Sequence, residues 1–182
     1  MKKESVRTKI IKAATDEINE NGESFTIDNV AKRAGISKKT IYNNFENKKE
    51  IIFCVISDKF DCISEKRKDI INDTDMDIVE KIKNLITVIP FEFLYMDISK
   101  YGFIYKKYPE SMGYIRQRYE EEWSCIEEYV SIAMKQGRIK RTDINAIKVV
   151  IMGTIYFYMT NRNDEISINE VASIILNGIK MK

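Results

Sequence analysis

Thr26-Ile27-Asp28-Asn29-Val30-Ala31-Lys32-Arg33-Ala34-Gly35-Ile36-Ser37-Lys38-Lys39-Thr40-Ile41-Tyr42-Asn43-Asn44-Phe45-Glu46-Asn47-Lys48-Lys49-Glu50-Ile51-Ile52-Phe53 places two short amphipathic helices, a glycine turn and a cluster of cations in one segment. Thr26 precedes Ile27, Val30, Ala31 and Ala34, which recur at the spacing of one helical face, and its hydroxyl can cap the helix they form. Gly35 stops that helix, because glycine enters the left-handed conformation without a Cβ clash. Ser37 offers its hydroxyl to the free amides of the next helix, and Ile36 plugs the angle between the two. In the second helix Ile41 and Phe45 lie four apart on the inner face. Lys38, Lys39, Thr40, Tyr42, Asn43 and Asn44 are thereby left mostly outside. The segment reads as a helix-turn-helix.

The outward set has the chemistry wanted in a major groove. Asn can bond adenine in a bidentate manner, Lys reaches guanine acceptors or phosphate, and Tyr and Thr touch phosphate or a thymine methyl. The same residues also suit a plain turn between two core helices whose lysines form a solvated face. The flanking sequence bears on the choice. Val6, Ile10, Ile11, Ala14 and Ile18 mark a preceding helix that closes near Asn21-Gly22, and Asn47 with Glu50 three residues on resembles a capping box opening a following one.

Over residues 6 to 53 the chain resembles the DNA-binding domain of the tetracycline-repressor (TetR) family of bacterial transcription regulators. The resemblance runs through Ala13-Ala14, Gly22, Thr26, Val30-Ala31, Ala34-Gly35-Ile36-Ser37, Thr40-Ile41-Tyr42, Phe45 and Lys48. Lys39 departs from the small residue frequent at its position, and Asn44 from the histidine common before the phenylalanine. Both departures bear on which bases are read.

Composition sets the wider frame. The 182 residues are 44% hydrophobic and 32% charged, the balance of a globular protein with a core. Net charge is only +2, but residues 1 to 50 hold 11 Lys/Arg against 8 Asp/Glu, leaving 19 against 20 for the rest. The cations gather at Lys2, Lys3, Arg7, Lys9 and Lys12, at Lys32 and Arg33, at Lys38 and Lys39, and at Lys48 and Lys49. No stretch approaches the roughly 20 apolar residues of a membrane span, and the charged amino terminus is unlike a signal peptide, so a cytoplasmic protein without a membrane partner is expected. Cys54, Cys62 and Cys125 form no CxxC, in keeping with a reducing compartment; Cys54 and Cys62 read as small buried hydrophobes. Histidine is absent and the seven glycines form no phosphate-cradling loop, so no enzyme activity, cofactor or metal site is expected. The acid runs Glu120-Glu121-Glu122 and Glu127-Glu128 read as solvated helix faces.

The remainder is helical throughout. A fourth helix runs from about Lys48 to Ile71, Asn72 to Asp75 interrupts, Ile78 to Ile89 ends at Pro90, and Phe91 to Lys107 follows. Pro109 then opens a long helix through Met134, a turn stands at Gln136-Gly137, and Asp143 to Thr160 and Ile168 to Met181 close the chain. The expected fold is all-α: a three-helix DNA-binding domain over residues 1–47 and a helical ligand-binding and dimerisation domain over 48–182, about nine helices in total. Ile147, Val150, Ile151, Thr154, Ile155 and Tyr158 form an apolar face with Gly153 available for close approach, which suits either a core or a partner helix.

The resemblance implies a homodimeric repressor that binds a palindromic operator in double-stranded DNA and is released by a small-molecule effector. Thr26 and the helix start it caps would face phosphate, with Lys38, Lys39, Thr40 and Asn43 toward bases and nearby backbone, and Tyr42 and Lys48 anchoring phosphates. A small apolar or aromatic effector would be lined by residues drawn from an aromatic-rich stretch and the helix after it: Phe91, Tyr95, Phe103, Trp123 and Tyr156. The alternative is a helical ligand-binding or protein-interaction adaptor that has lost specific DNA binding.

Overall fold

Helix boundaries follow local chemistry closely. The computed structural model describes residues 4–88, 98–160 and 167–181. Helix α1 (Val6–Asn21) starts where the Ser5 side chain accepts from the Thr8 amide at 3.0 Å, and a 3-10 turn (Gly22–Ser24) follows it. Thr26 caps α2 (Ile27–Ala34) by accepting from Asn29 N at 3.2 Å, and Gly35 ends it in the left-handed region at φ 65°. Ser37 caps α3 (Lys38–Tyr42), accepting from Thr40 N at 3.0 Å. Helix α4 (Lys48–Asn72) opens with the Asn47 side chain accepting from Glu50 N at 3.0 Å. The reciprocal half of the box is displaced by one residue: the Glu50 carboxylate takes the Glu46 amide at 2.7 Å.

After the interruption come α5 (Ile78–Thr87), a 3-10 turn (Ile98–Tyr101), α6 (Gly102–Lys107), α7 (Pro109–Lys135), α8 (Ile144–Thr160) and α9 (Ile168–Ile179). The described residues thus hold nine α-helices and no strand; Ile139 and Lys180 form one isolated antiparallel bridge. The fold is all-α. The segment read as a helix over Phe91 to Lys107 lies partly outside the described residues; its described part is the turn and α6. No helix among the described residues is long and apolar enough to cross a membrane.

The helices pack as two compact units. The first comprises Met1–Asp61 with Tyr95–Arg116, the second Cys62–Leu94 with Gln117–Lys182, so α4 and α7 each contribute to both. In the first, Ile10, Ala14, Val30, Ile41, Ile51, Ile52 and Val55 are sealed from solvent. Val6, placed on the stripe by its spacing, is 43% exposed, because the packed face of α1 begins a turn later at Ile10. The second segment of this unit lies against the end of α1. Tyr101 Oη donates to Asn19 Oδ1 at 3.1 Å, Phe103 packs on Phe25 at 6.3 Å between ring centroids, and Lys107 pairs with Glu23. A Cβ at Gly22 would stand 3.4 Å from the Lys100 carbonyl oxygen, and the φ of 54° there already favours glycine.

The second unit has its own core of Val79, Ile82, Leu85, Ile86, Trp123, Ile126, Val130, Ala133, Ile139, Ile147, Ile151, Ala172 and Leu176. Two acids read as solvated are engaged here instead. Glu127 accepts from the Trp123 indole at 2.6 Å. Glu122 pairs with Arg67, whose side chain is 7% exposed and whose other terminal nitrogen donates to the Leu85 carbonyl at 2.9 Å. Burial pushes the Arg67 guanidinium below its ordinary value, against the pull of Glu122. Cys54 and Cys62, read as small buried hydrophobes, are half-buried, and Cys54 Sγ accepts from Arg7 at 3.2 Å.

Candidate nucleic-acid interface

A five-residue helix cannot bury much, and α3 buries a single side chain, Ile41. Phe45, 2% exposed, completes its inner face just beyond the helix end. The other face is open: Lys38, Lys39, Tyr42 and Asn43 are exposed, Tyr42 to 48%, and Thr40 is half-buried with its hydroxyl 2.8 Å from that of Ser37. Lys38 reaches back to Asp28 of α2 at 3.0 Å, which raises its pKa and ties the starts of the two helices together. Thr26 stands exposed at the start of α2, where free amides and the positive end of the helix dipole favour an anion.

Lys48 is engaged otherwise than a free cation. Its ammonium donates to the Phe25 carbonyl at 2.6 Å and lies 3.8 Å from the centroid of the Phe25 ring. Burial, with Lys107 nearby, holds its pKa below the usual value. The lysine therefore fixes the residue before Thr26. Its partner is 23 positions away in sequence, so no local pattern announces the contact.

The structure also commits two charged residues whose role the sequence left open. Arg7, counted in the sequence only as one of several cations, donates from Nη1 to the Asn44 carbonyl at 2.5 Å and from Nη2 to Glu50 Oε1 at 2.8 Å, and stacks 4.1 Å over the Phe45 ring. Glu50, read as a cap, is shared between that guanidinium and the Glu46 amide, and both hold its carboxyl below the usual range. A carboxyl depressed in the folded state contributes stability above its unfolded value, and loses it as pH falls through the folded one. The stability gap between wild type and Glu50→Gln is therefore expected at neutral pH and should narrow below about pH 4.5, as thermal melts at stepped pH would record; a gap constant down to pH 3 would contradict it.

The residues expected to line an effector site fall in different places. Phe103 is 8% exposed against Phe25 in the first unit, Trp123 is 3% exposed within the second core, and Tyr156 on α8 is 64% exposed. Phe91 and Tyr95 lie outside the described residues.

Residues 10–54 match the family model of the bacterial regulatory proteins, tetR family. The chain is 20% identical over 138 residues to the uncharacterised HTH-type transcriptional regulator YvaF of Bacillus subtilis, covering 76% of this chain and 73% of that one. Its fold is similar to that of the TetR family transcriptional regulator PfmR from Thermus thermophilus (TM-score 0.78, 16% identity, 99% of this chain and 100% of that). It is also similar to FadR from Bacillus subtilis, solved in complex with stearoyl-CoA (TM-score 0.69, 22% identity, 93% and 95%). The match to the tetR family model is confined to residues 10–54, which include α2, α3 and their caps, and the fold is similar to that of these solved regulators along nearly the whole chain.

Proposed function

We propose that the protein is a homodimeric transcriptional repressor that occupies a palindromic operator and leaves it when a small molecule binds its helical regulatory part. The observation that supports this most is the open face of α3, where Lys38, Lys39, Tyr42 and Asn43 project from a helix anchored through Ile41. In this reading Lys38, Lys39, Thr40 and Asn43 face bases and nearby backbone, and Thr26 and Tyr42 take phosphates. Lys48 serves the phosphate contact by holding Phe25 and hence the start of α2. The functional division falls near residue 47, with residues 1–47 reading DNA and 48–182 carrying dimerisation and effector response.

Dimerisation is supported by α8. Val149 and Val150 are 72% and 49% exposed on a helix whose opposite side is buried through Ile147 and Ile151, and Ile174 on α9 is 68% exposed. Apolar side chains so presented are costly unless covered, and helix-turn-helix proteins commonly use two-fold symmetry to read paired half-sites. For the effector we propose a small apolar molecule, with Trp123 and Tyr156 of the second unit as its candidate contacts. The stearoyl-CoA bound to the structurally similar FadR makes long-chain acyl-CoA the first ligand to try.

Footprinting on the DNA flanking its own gene tests the main reading: wild-type protein should protect a discrete, roughly symmetric site at moderate salt. Binding with no preference over random DNA would sink it. Asn43→Ala should relax preference at particular base pairs by about tenfold each; equal losses on every sequence would remove Asn43 from base reading. Release from the footprint by stearoyl-CoA, but not by stearate or free coenzyme A, would support the acyl-CoA proposal.

A further inference from the structure

Base reading demands that a recognition helix be held to within about 0.5 Å and 10–20°. With Ile41 its one buried side chain and Phe45 buried just beyond its end, α3 is anchored along a single line and left free to roll about it. The amino-terminal end is tied by Ser37 and by Lys38 to Asp28. At the carboxyl-terminal end the tie comes from another helix. Arg7 of α1 reaches the Asn44 carbonyl, and the Asn44 side-chain amide in turn donates to the Thr40 carbonyl at 2.8 Å. The same guanidinium grips Glu50 and Cys54, one turn apart on α4, while its face covers Phe45.

We infer that Arg7 is a positioning residue for DNA recognition, pinning the carboxyl-terminal end of α3 to the first turns of α4. The inference rests on the proposal that α3 reads DNA. It assigns a cation of the basic amino-terminal segment to setting helix geometry instead of to phosphate. Only a guanidinium fits the post, since a planar fork can hold a carbonyl, a carboxylate and a ring face together, whereas lysine offers a single point charge. The guanidinium lies just past the carboxyl-terminal end of α3, where a cation has the favourable sign, and at the start of α4 it is met by the Glu50 carboxylate. Movement of the start of α4 is thereby carried directly to the face that touches bases.

The test uses a duplex selected from random-sequence DNA by the wild-type full chain, a scrambled duplex of equal composition, and amide exchange of the free protein, all well below the melting midpoint of each variant. Arg7→Ala and Arg7→Lys are both expected to lose about ten- to a hundredfold in affinity for the selected duplex. Discrimination over the scrambled duplex should shrink, the salt slope should stay at its wild-type value, and amides of residues 38–44 should exchange faster. If Arg7→Lys binds as wild type while Arg7→Ala flattens the salt slope by about one phosphate, Arg7 is a backbone contact and the inference is overturned. Unchanged exchange at residues 38–44 in both variants overturns it as well. Wild type that selects no sequence would defeat the proposed function instead, and the exchange of residues 38–44 then decides alone whether Arg7 pins α3.

Discussion

Glu122→Ala should be among the most damaging single substitutions in the chain, lowering stability by about 3–5 kcal/mol. The carboxylate, 12% exposed, is the acid facing the Arg67 guanidinium, which is itself 7% exposed. Removing it strands a buried cation that burial already disfavours. The remaining bonds of Arg67, to the Leu85 and Glu122 carbonyls, are to neutral oxygens and cannot compensate the charge. Ser64, which donates to Glu122 at 3.0 Å, would lose that bond as well. In a chain of this length the melting midpoint should fall by about 6–20 °C. Replacing the pair together, Arg67→Met with Glu122→Leu, should cost much less, because desolvation of both charges is then avoided. Denaturant titration of the two variants separates the cases: a double variant as unstable as Glu122→Ala would show that the pair itself, and not a stranded charge, carries the stability.

Gly153→Glu should abolish the proposed dimer while leaving the protomer folded. A Cβ built at Gly153 meets nothing within 4 Å, so the protomer has room for a side chain there. Helix propensity improves when glycine is replaced in a helix interior. The position lies on the exposed side of α8, one turn from Val149 and Val150, where a close partner helix would have to accommodate an added carboxylate without a counter-charge. Light scattering should report a monomer with unchanged helical content. Affinity for a two-half-site operator should drop by about a hundred- to ten-thousandfold, since each reading head then binds without the other. A variant that stays dimeric with full operator affinity would move the interface away from α8.

How far the fold could be read from sequence depended on the range of the forces involved. The caps at Thr26, Ser37 and Asn47, the glycine stop at Gly35 and the start at Pro109 are settled within four residues, and each stands where its local chemistry put it. The open face of α3 was equally legible, because Ile41 and Phe45 repeat at helical spacing. What the sequence could not show were long-range commitments of charge. Lys48 turning to Phe25, Arg7 spanning to Glu50, and Glu122 meeting Arg67 across 55 positions are all choices made by tertiary packing. In each case a residue that looked like a solvated or DNA-facing charge is taken up by the protein itself. Counting cations therefore overstates how many are free for phosphate. An effector site was the least legible feature, since an aromatic at helical spacing fits a core as well as a pocket; of the residues expected to line one, Trp123 and Phe103 are both firmly packed.

The union of Met1–Asp61 with Tyr95–Arg116 bears on how such a protein can be taken apart. A reading head built from one continuous stretch behaves as a cassette, exchangeable by recombination at a single junction. Here Phe25, 1% exposed, has Phe103 as a ring neighbour, and Asn19, Glu23 and Gly22 all meet the stretch from Lys100 to Lys107. A chimaera cut near residue 47 would inherit that seam half-made, with an aromatic surface bared and a charge left without its mate. Moving this unit intact between chains therefore needs three crossovers, one after Asp61 and one on either side of Tyr95–Arg116, and its two segments are bound to drift together.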